Sequence, residues 1–221
     1  MTSKYRVRSE RVRPMRKFLV IVTACIALVL MAGLVACGSS KDQARTEYQQ
    51  ARALFDEGKY YSAKTAFEEC EYADWDERAA ACVQPMPRNG ELFHDENMIS
   101  DKMKLSFEVE DYRESVGRYI TVYTKDKTLV EAVFIQGSGR VSTKLPGGEY
   151  YIKCATGTEW YGPDEQFGPD GHYETCVFDE AEGDRNLVEL TEGYEWEITF
   201  YYIDGRTGGI STEENSWEDR A

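Results

Sequence analysis

The chain has 221 residues and a formal net charge of −14, from 26 Lys/Arg against 40 Asp/Glu. A surface that acidic repels phosphate backbones, which excludes nucleic acid as a partner. Two histidines, with no His-Glu-x-x-His, no Gly-x-Ser-x-Gly and no phosphate loop, leave enzyme chemistry without support.

Residues 1–36 stand apart from the rest. Arg11, Arg13, Arg16 and Lys17 precede an apolar run from Phe18 to Val35, the pattern of an export signal. A single membrane span is the alternative, although the run is near the lower length limit for one. It ends in Leu34-Val35-Ala36-Cys37-Gly38-Ser39-Ser40, which resembles the lipobox of bacterial lipoprotein signals. The resemblance implies that the Cys37 thiol carries diacylglycerol and that the chain is cut just before it. It also implies attachment to the cell membrane on the extracytoplasmic side. Met15 opens a segment that is a complete signal by itself and is a second candidate start. No Arg-Arg pair precedes the apolar core, so twin-arginine export is set aside. Cleavage leaves 19 Lys/Arg against 39 Asp/Glu, a net formal charge of −20. Such a domain is held off an anionic bilayer while two acyl chains anchor it.

Cysteine usage agrees with that compartment. Cys25 leaves with the signal and Cys37 is lipidated, so Cys70, Cys82, Cys154 and Cys176 remain. An even number in an exported chain reads as two disulfides. The local pairing, Cys70 with Cys82 and Cys154 with Cys176, keeps each bridge within one structural unit. A four-thiolate zinc site is the rival, but the spacings lack a Cys-x2-Cys knuckle. No metal and no cofactor are expected.

Residues 37–43 read as a lipidated polar tether. In 44–84, Ala44, Tyr48, Ala51 and Phe55 recur at helical spacing, Gly58 stops the first helix, and Ala63, Ala66, Phe67 and Cys70 restart the period. A third short helix follows near Arg78 and Cys82. Gly58, Tyr60, Ala63 and Phe67 fall at the Gly-x-Tyr-x-x-Ala-x-x-x-Phe offsets, and the stretch resembles a single tetratricopeptide unit. A peptide-binding solenoid needs about three such repeats. One unit implies a stalk or packing element.

Pro85 and Pro87 end the helical part, and residues 85–215 change to period two. Leu105, Phe107 and Val109 alternate with polar residues, as do Tyr194, Trp196, Ile198, Phe200 and Tyr202. Further strands are expected near 119–123, 129–135, 140–145, 149–155, 173–178 and 186–191. Turn signals at Gly137-Ser138-Gly139, Pro146-Gly147-Gly148 and Asp204-Gly205 separate them, the first read as a hairpin. About eight short strands predict an antiparallel β-sandwich, and an α+β chain overall. Residues 216–221 are an acidic tail.

Leu145, Pro146, Gly148 and Tyr150 form a Leu-Pro-x-Gly-x-Tyr turn, which resembles the transthyretin-like and carboxypeptidase-regulatory sandwiches. Gly157, Trp160, Tyr161, Gly162, Phe167 and Gly168 are similar to the Gly-x-x-Trp-Tyr-Gly-x4-Phe-Gly run of an uncharacterised bacterial envelope module. Both resemblances imply a fold and neither implies an activity.

The loop 160–171 is the candidate ligand surface. Trp160, Tyr161 and Phe167 beside carboxylates suit a sugar or a cationic peptide. The same rings suit a plug at the open end of the sandwich, and packing is the favoured reading because exposing all three would be costly. Asp164, Glu165 and Asp170, like Asp179, Glu180, Glu182 and Asp184, lack a calcium-loop pattern and read as solvated acidic faces. His172 reads as a surface histidine. Taken together, the sequence predicts a lipid-anchored, non-enzymatic binding or scaffolding module of the cell envelope, with an envelope protein or a glycan as partner. A structural spacer and a carbohydrate-binding or hydrolase accessory domain are the alternatives.

Overall fold

The computed structural model describes residues 40–110, 113–178, 184–203, 206–208 and 211–219. The export signal with Cys37, the acidic residues Asp179, Glu180 and Glu182, and the turn Asp204-Gly205 lie outside the described residues.

Three helices come first: α1 (Ser40–Asp56), α2 (Tyr60–Cys70) and α3 (Trp75–Ala81). The first begins inside the stretch expected to be tether. Gly58 adopts φ +80° after α1, a backbone state that glycine enters without a Cβ penalty. Tyr48, Ala51, Ala63, Phe67, Cys70, Ala79 and Cys82 share one core. Ala63 is fully buried, and the Phe67 ring meets Tyr48 edge-on at 5.4 Å. Tyr48 also donates its hydroxyl to Asp74, which accepts from Arg78 at 3.0 Å, tying α1 to the start of α3.

Among the described residues eleven strands follow: β1 (Gly90–His94), β2 (Lys104–Glu110), β3 (Gly117–Thr124), β4 (Leu129–Gln136), β5 (Gly139–Lys144), β6 (Gly148–Gly157), β7 (His172–Val177), β8 (Leu187–Leu190), β9 (Glu195–Ile203), β10 (Arg206–Gly208) and β11 (Ser211–Asn215). The larger sheet runs β1-β4-β3-β6-β7-β11, with β8 also paired to β6. The smaller runs β10-β9-β2-β5. Between the two sheets, inward residues interleave as period-two burial requires: Leu105, Phe107 and Val109 from β2, Ile120 and Val122 from β3, Val133 and Ile135 from β4, and Ile198 and Phe200 from β9. The chain is α+β, with mostly antiparallel strands.

Several expectations change. The pairing of β2 with β9 is parallel, with Phe107 opposite Ile198, because nearly ninety residues of intervening chain remove the hairpin constraint that forces neighbours antiparallel. Gly137-Ser138-Gly139 is not a hairpin: β4 belongs to the larger sheet and β5 to the smaller, so the turn arches from one sheet to the other. Trp217 lies in the expected tail yet packs against the buried cluster of Tyr119, Phe134, Trp160, Phe167 and Tyr173. The expected Leu145–Tyr150 turn is another crossing between sheets, closed by the Tyr150 hydroxyl donating to the Pro146 carbonyl at 2.7 Å.

No disulfide joins the described residues in this structure. Cys70, Cys82, Cys154 and Cys176 are all buried free thiols. Cys154 lies opposite Glu174, which makes Cys176 its diagonal neighbour across β6 and β7. Diagonal positions are about 7–8 Å apart, at or beyond the reach of an unstrained bridge. Cys70 and Cys82 each donate to a carbonyl of their own helical segment, Phe67 at 3.3 Å and Arg78 at 3.2 Å.

Candidate functional site

The loop after β6 begins at Gly157, where an added Cβ would lie 2.6 Å from Phe167, so the backbone there must stay bare. Phe167 and Trp160 then turn onto the outer face of the larger sheet. Trp160 meets Tyr119, Phe134 and Phe167 at ring distances of 5.3, 5.1 and 5.2 Å, all edge-on. Trp160, Tyr161 and Phe167 are 4%, 2% and 2% exposed. So buried, these rings pack as a wedge between sheet and helices.

The helices grip the other side of that wedge. Within it lies the single turn α4 (Gly162–Glu165), whose Glu165 is 4% exposed rather than solvated. Its carboxylate accepts from the Tyr61 N–H at 2.6 Å, from the Ser62 N–H at 3.2 Å and from the Ser62 hydroxyl. These are unpaired amides of the first turn of α2, where a negative charge also meets the positive end of the helix dipole. Lys59, which precedes α2, supplies no side-chain cap, and Glu165 takes that place from about a hundred residues away. Gln84 donates its N–H to the Trp160 carbonyl at 2.8 Å, and Lys64 donates to the Tyr161 hydroxyl at 3.1 Å. Burial, together with the hydrogen bond to Glu159, pushes the Tyr161 phenol up to about 12. Asp164 and Asp170, unlike Glu165, do reach the surface.

A second polar constellation sits between the two sheets beside edge strand β1. Glu131 projects inward from β4 among apolar neighbours and is fully buried. Across the ladder from it stands His94 of the edge strand β1, whose Nδ1 is 2.7 Å from Glu131 Oε2. Thr143, on β5 of the opposing sheet, donates its hydroxyl to the same oxygen. The other oxygen, Oε1, is buried and has no hydrogen-bond partner among the described residues. Glu91, three residues before His94 and across an irregularity in β1, brings Oε2 to 3.9 Å from His94 Nδ1. Its side chain is half exposed, while that of His94 is 15% exposed. Burial raises the Glu131 carboxyl above its ordinary value, and the hydrogen bonds from Thr143 and His94 partly offset that.

No sequence expectation fell on this cluster. A glutamate at an inward position of the run Leu129-Val130-Glu131-Ala132-Val133 was the visible signal, because an unexplained charge in a buried strand requires partners. The partners themselves come from two other strands, joined only by the fold. His172, the other histidine, is exposed on β7 and contacts Glu174 at 2.7 Å, in keeping with a surface histidine. An open groove of about 420 Å³ lies at the end of the sandwich between the turn after β3 and the Pro146-Gly147-Gly148 corner. Among the described residues no helix is long and apolar enough to cross a membrane. No protein-family model, curated protein or solved structure matches the chain.

Proposed function

We propose that this is a lipid-anchored cell-envelope protein whose folded part is a non-enzymatic binding or scaffolding module. The observation that carries the reading is the basic segment, apolar run and Leu34-Val35-Ala36-Cys37-Gly38 junction, followed by a strongly acidic chain. Diacylglycerol on Cys37 anchors the module on the extracytoplasmic side. Residues 44–84 serve as one tetratricopeptide-like unit, in which Ala63 permits close helix approach and Phe67 fills the groove. That unit works as a packing element, since its residues Tyr61, Lys64 and Gln84 hydrogen-bond to Glu165, Tyr161 and Trp160 of the loop after β6.

Metabolic labelling with a palmitate analogue, followed by membrane fractionation, tests the anchor. The wild-type protein is expected to carry label and to sediment with membranes, and Cys37→Ala to lose the label. An unlabelled wild-type protein, or a labelled Cys37→Ala protein, would sink the assignment.

A further inference from the structure

We propose that Glu91, His94 and Glu131 form a binding site for one divalent transition-metal ion of the zinc class, held by His94 Nδ1, one Glu91 oxygen and the Glu131 carboxylate, whose Oε2 lies beside His94 and whose Oε1 is otherwise without a partner. Among the described residues, this is the group of His, Cys and acidic side chains whose ligand atoms converge, all lying within 4.8 Å of one another. A tetrahedral ion bound at about 2.1 Å keeps its ligand atoms roughly 3.4 Å apart. The His94–Glu131 and His94–Glu91 separations of 2.7 and 3.9 Å bracket that value, so small side-chain movements suffice.

Four further features of the cluster favour an ion over a purely structural knot. Glu131 is fully buried, yet its Oε1 has no hydrogen-bond partner, an arrangement that costs free energy unless something else satisfies the oxygen. Neither glutamate has a Lys or Arg ion-pair partner among the described residues, so two carboxylates share one imidazole as their only basic neighbour. A dipositive ion matches that deficit. Thr143 supplies the outer-shell hydrogen bond that orients a ligating carboxylate, here reaching across from the opposing sheet. The half-exposed Glu91 forms the rim and leaves a path from solvent to the buried floor.

The donor set selects the class of ion. One imidazole nitrogen with two carboxylates suits zinc and its first-row neighbours, whereas calcium requires six to eight oxygens. Three protein ligands leave one position of a tetrahedron for water. An ion there would staple edge strand β1 to β4 and stiffen that edge of the larger sheet, independently of how the protein is anchored.

The test uses the full-length protein in detergent, stripped with a chelator, kept reduced and titrated with Zn²⁺. Calorimetry is expected to give one site per chain, and the melting temperature to rise with Zn²⁺. Co²⁺ in place of Zn²⁺ is expected to develop the visible absorption of a four-coordinate site with oxygen and nitrogen ligands, without the charge-transfer band of a thiolate. His94→Ala should abolish both signals. Glu91→Gln, at the half-exposed rim, should weaken the affinity tenfold or more while leaving the metal-free melting temperature unchanged. Absence of stoichiometric Zn²⁺ binding would overturn the proposal, as would wild-type affinity in Glu91→Gln or a thiolate band with Co²⁺. Should His94→Ala not fold, Glu91→Gln and the Co²⁺ spectrum decide the matter alone.

Discussion

At the level of single residues, burial sets the expected responses. Trp160 fills the space between Tyr119, Phe134 and Phe167, so Trp160→Ala should destabilise the fold by about 3–5 kcal/mol, read as a loss of denaturation midpoint at unchanged denaturant slope. Glu165→Ala strips the first turn of α2 of its acceptor and should cost about 2 kcal/mol in the same assay. The thiols give a pH prediction. Burial pushes Cys82 from 9.0 up to about 11 and Cys154 up to about 12. Below pH 9 these thiols are neutral in both folded and unfolded chains, and their contribution to stability is complete. Above it the unfolded chain ionises first, so stability should fall as pH rises from 9 toward 12 in the reduced protein. Thermal melts across that range check it, and Cys154→Ala should make the decline shallower. The burial of Trp160 and Phe167 was legible in the sequence, because large rings are rarely left in water, but their place was not: they pack on the outer face of the larger sheet rather than at the open end of the sandwich. Glu165 was not legible, because nothing local distinguishes it from the carboxylates around it; its role depends on amides about a hundred positions earlier.

Elements behave according to what their neighbours leave uncovered. Gly168 sits at φ +64°, and an added Cβ would lie 2.8 Å from the Tyr61 ring of α2. Gly168→Ala is therefore expected to cost more than the about 1–2 kcal/mol of a left-handed alanine alone. Hydrogen exchange should place the loosening in α2 and the loop, with the two-sheet core still protected. The strands with alternating apolar residues, such as β2 and β9, were legible because each buries one face. Gly90–His94 escaped notice because Leu92 and Phe93 both stay partly exposed on an edge strand, which erases the alternation. Sheet membership was also hidden: the arch at Gly137 and a hairpin turn use the same residues, and only the ladder partners distinguish them. The cluster of Glu91, His94 and Glu131 was hidden for that reason too, since it depends on the register of β1 against β4.

For the molecule as a whole, the larger sheet is covered on both faces, by the smaller sheet on one and by the wedge on the other. Tyr61 touches Tyr161 and Trp217, each at a ring distance of 5.2 Å. Tyr61→Ala should therefore increase protease susceptibility at the loop as well as in the helices, as mapped by limited digestion and mass spectrometry. The parallel pairing of β2 with β9 bears on how the chain acquires this form. Residues 104–110 cannot meet their central partner until residues 195–201 have been delivered. A polypeptide threaded across a membrane from its N-terminus would thus present the unpaired edge of β2 to the far compartment until β9 follows. The waiting time is set by the transport rate, and long-range pairing of this kind is intrinsically slow to form. A holding factor for the emerging segment would then matter more to yield than the final stability of the fold.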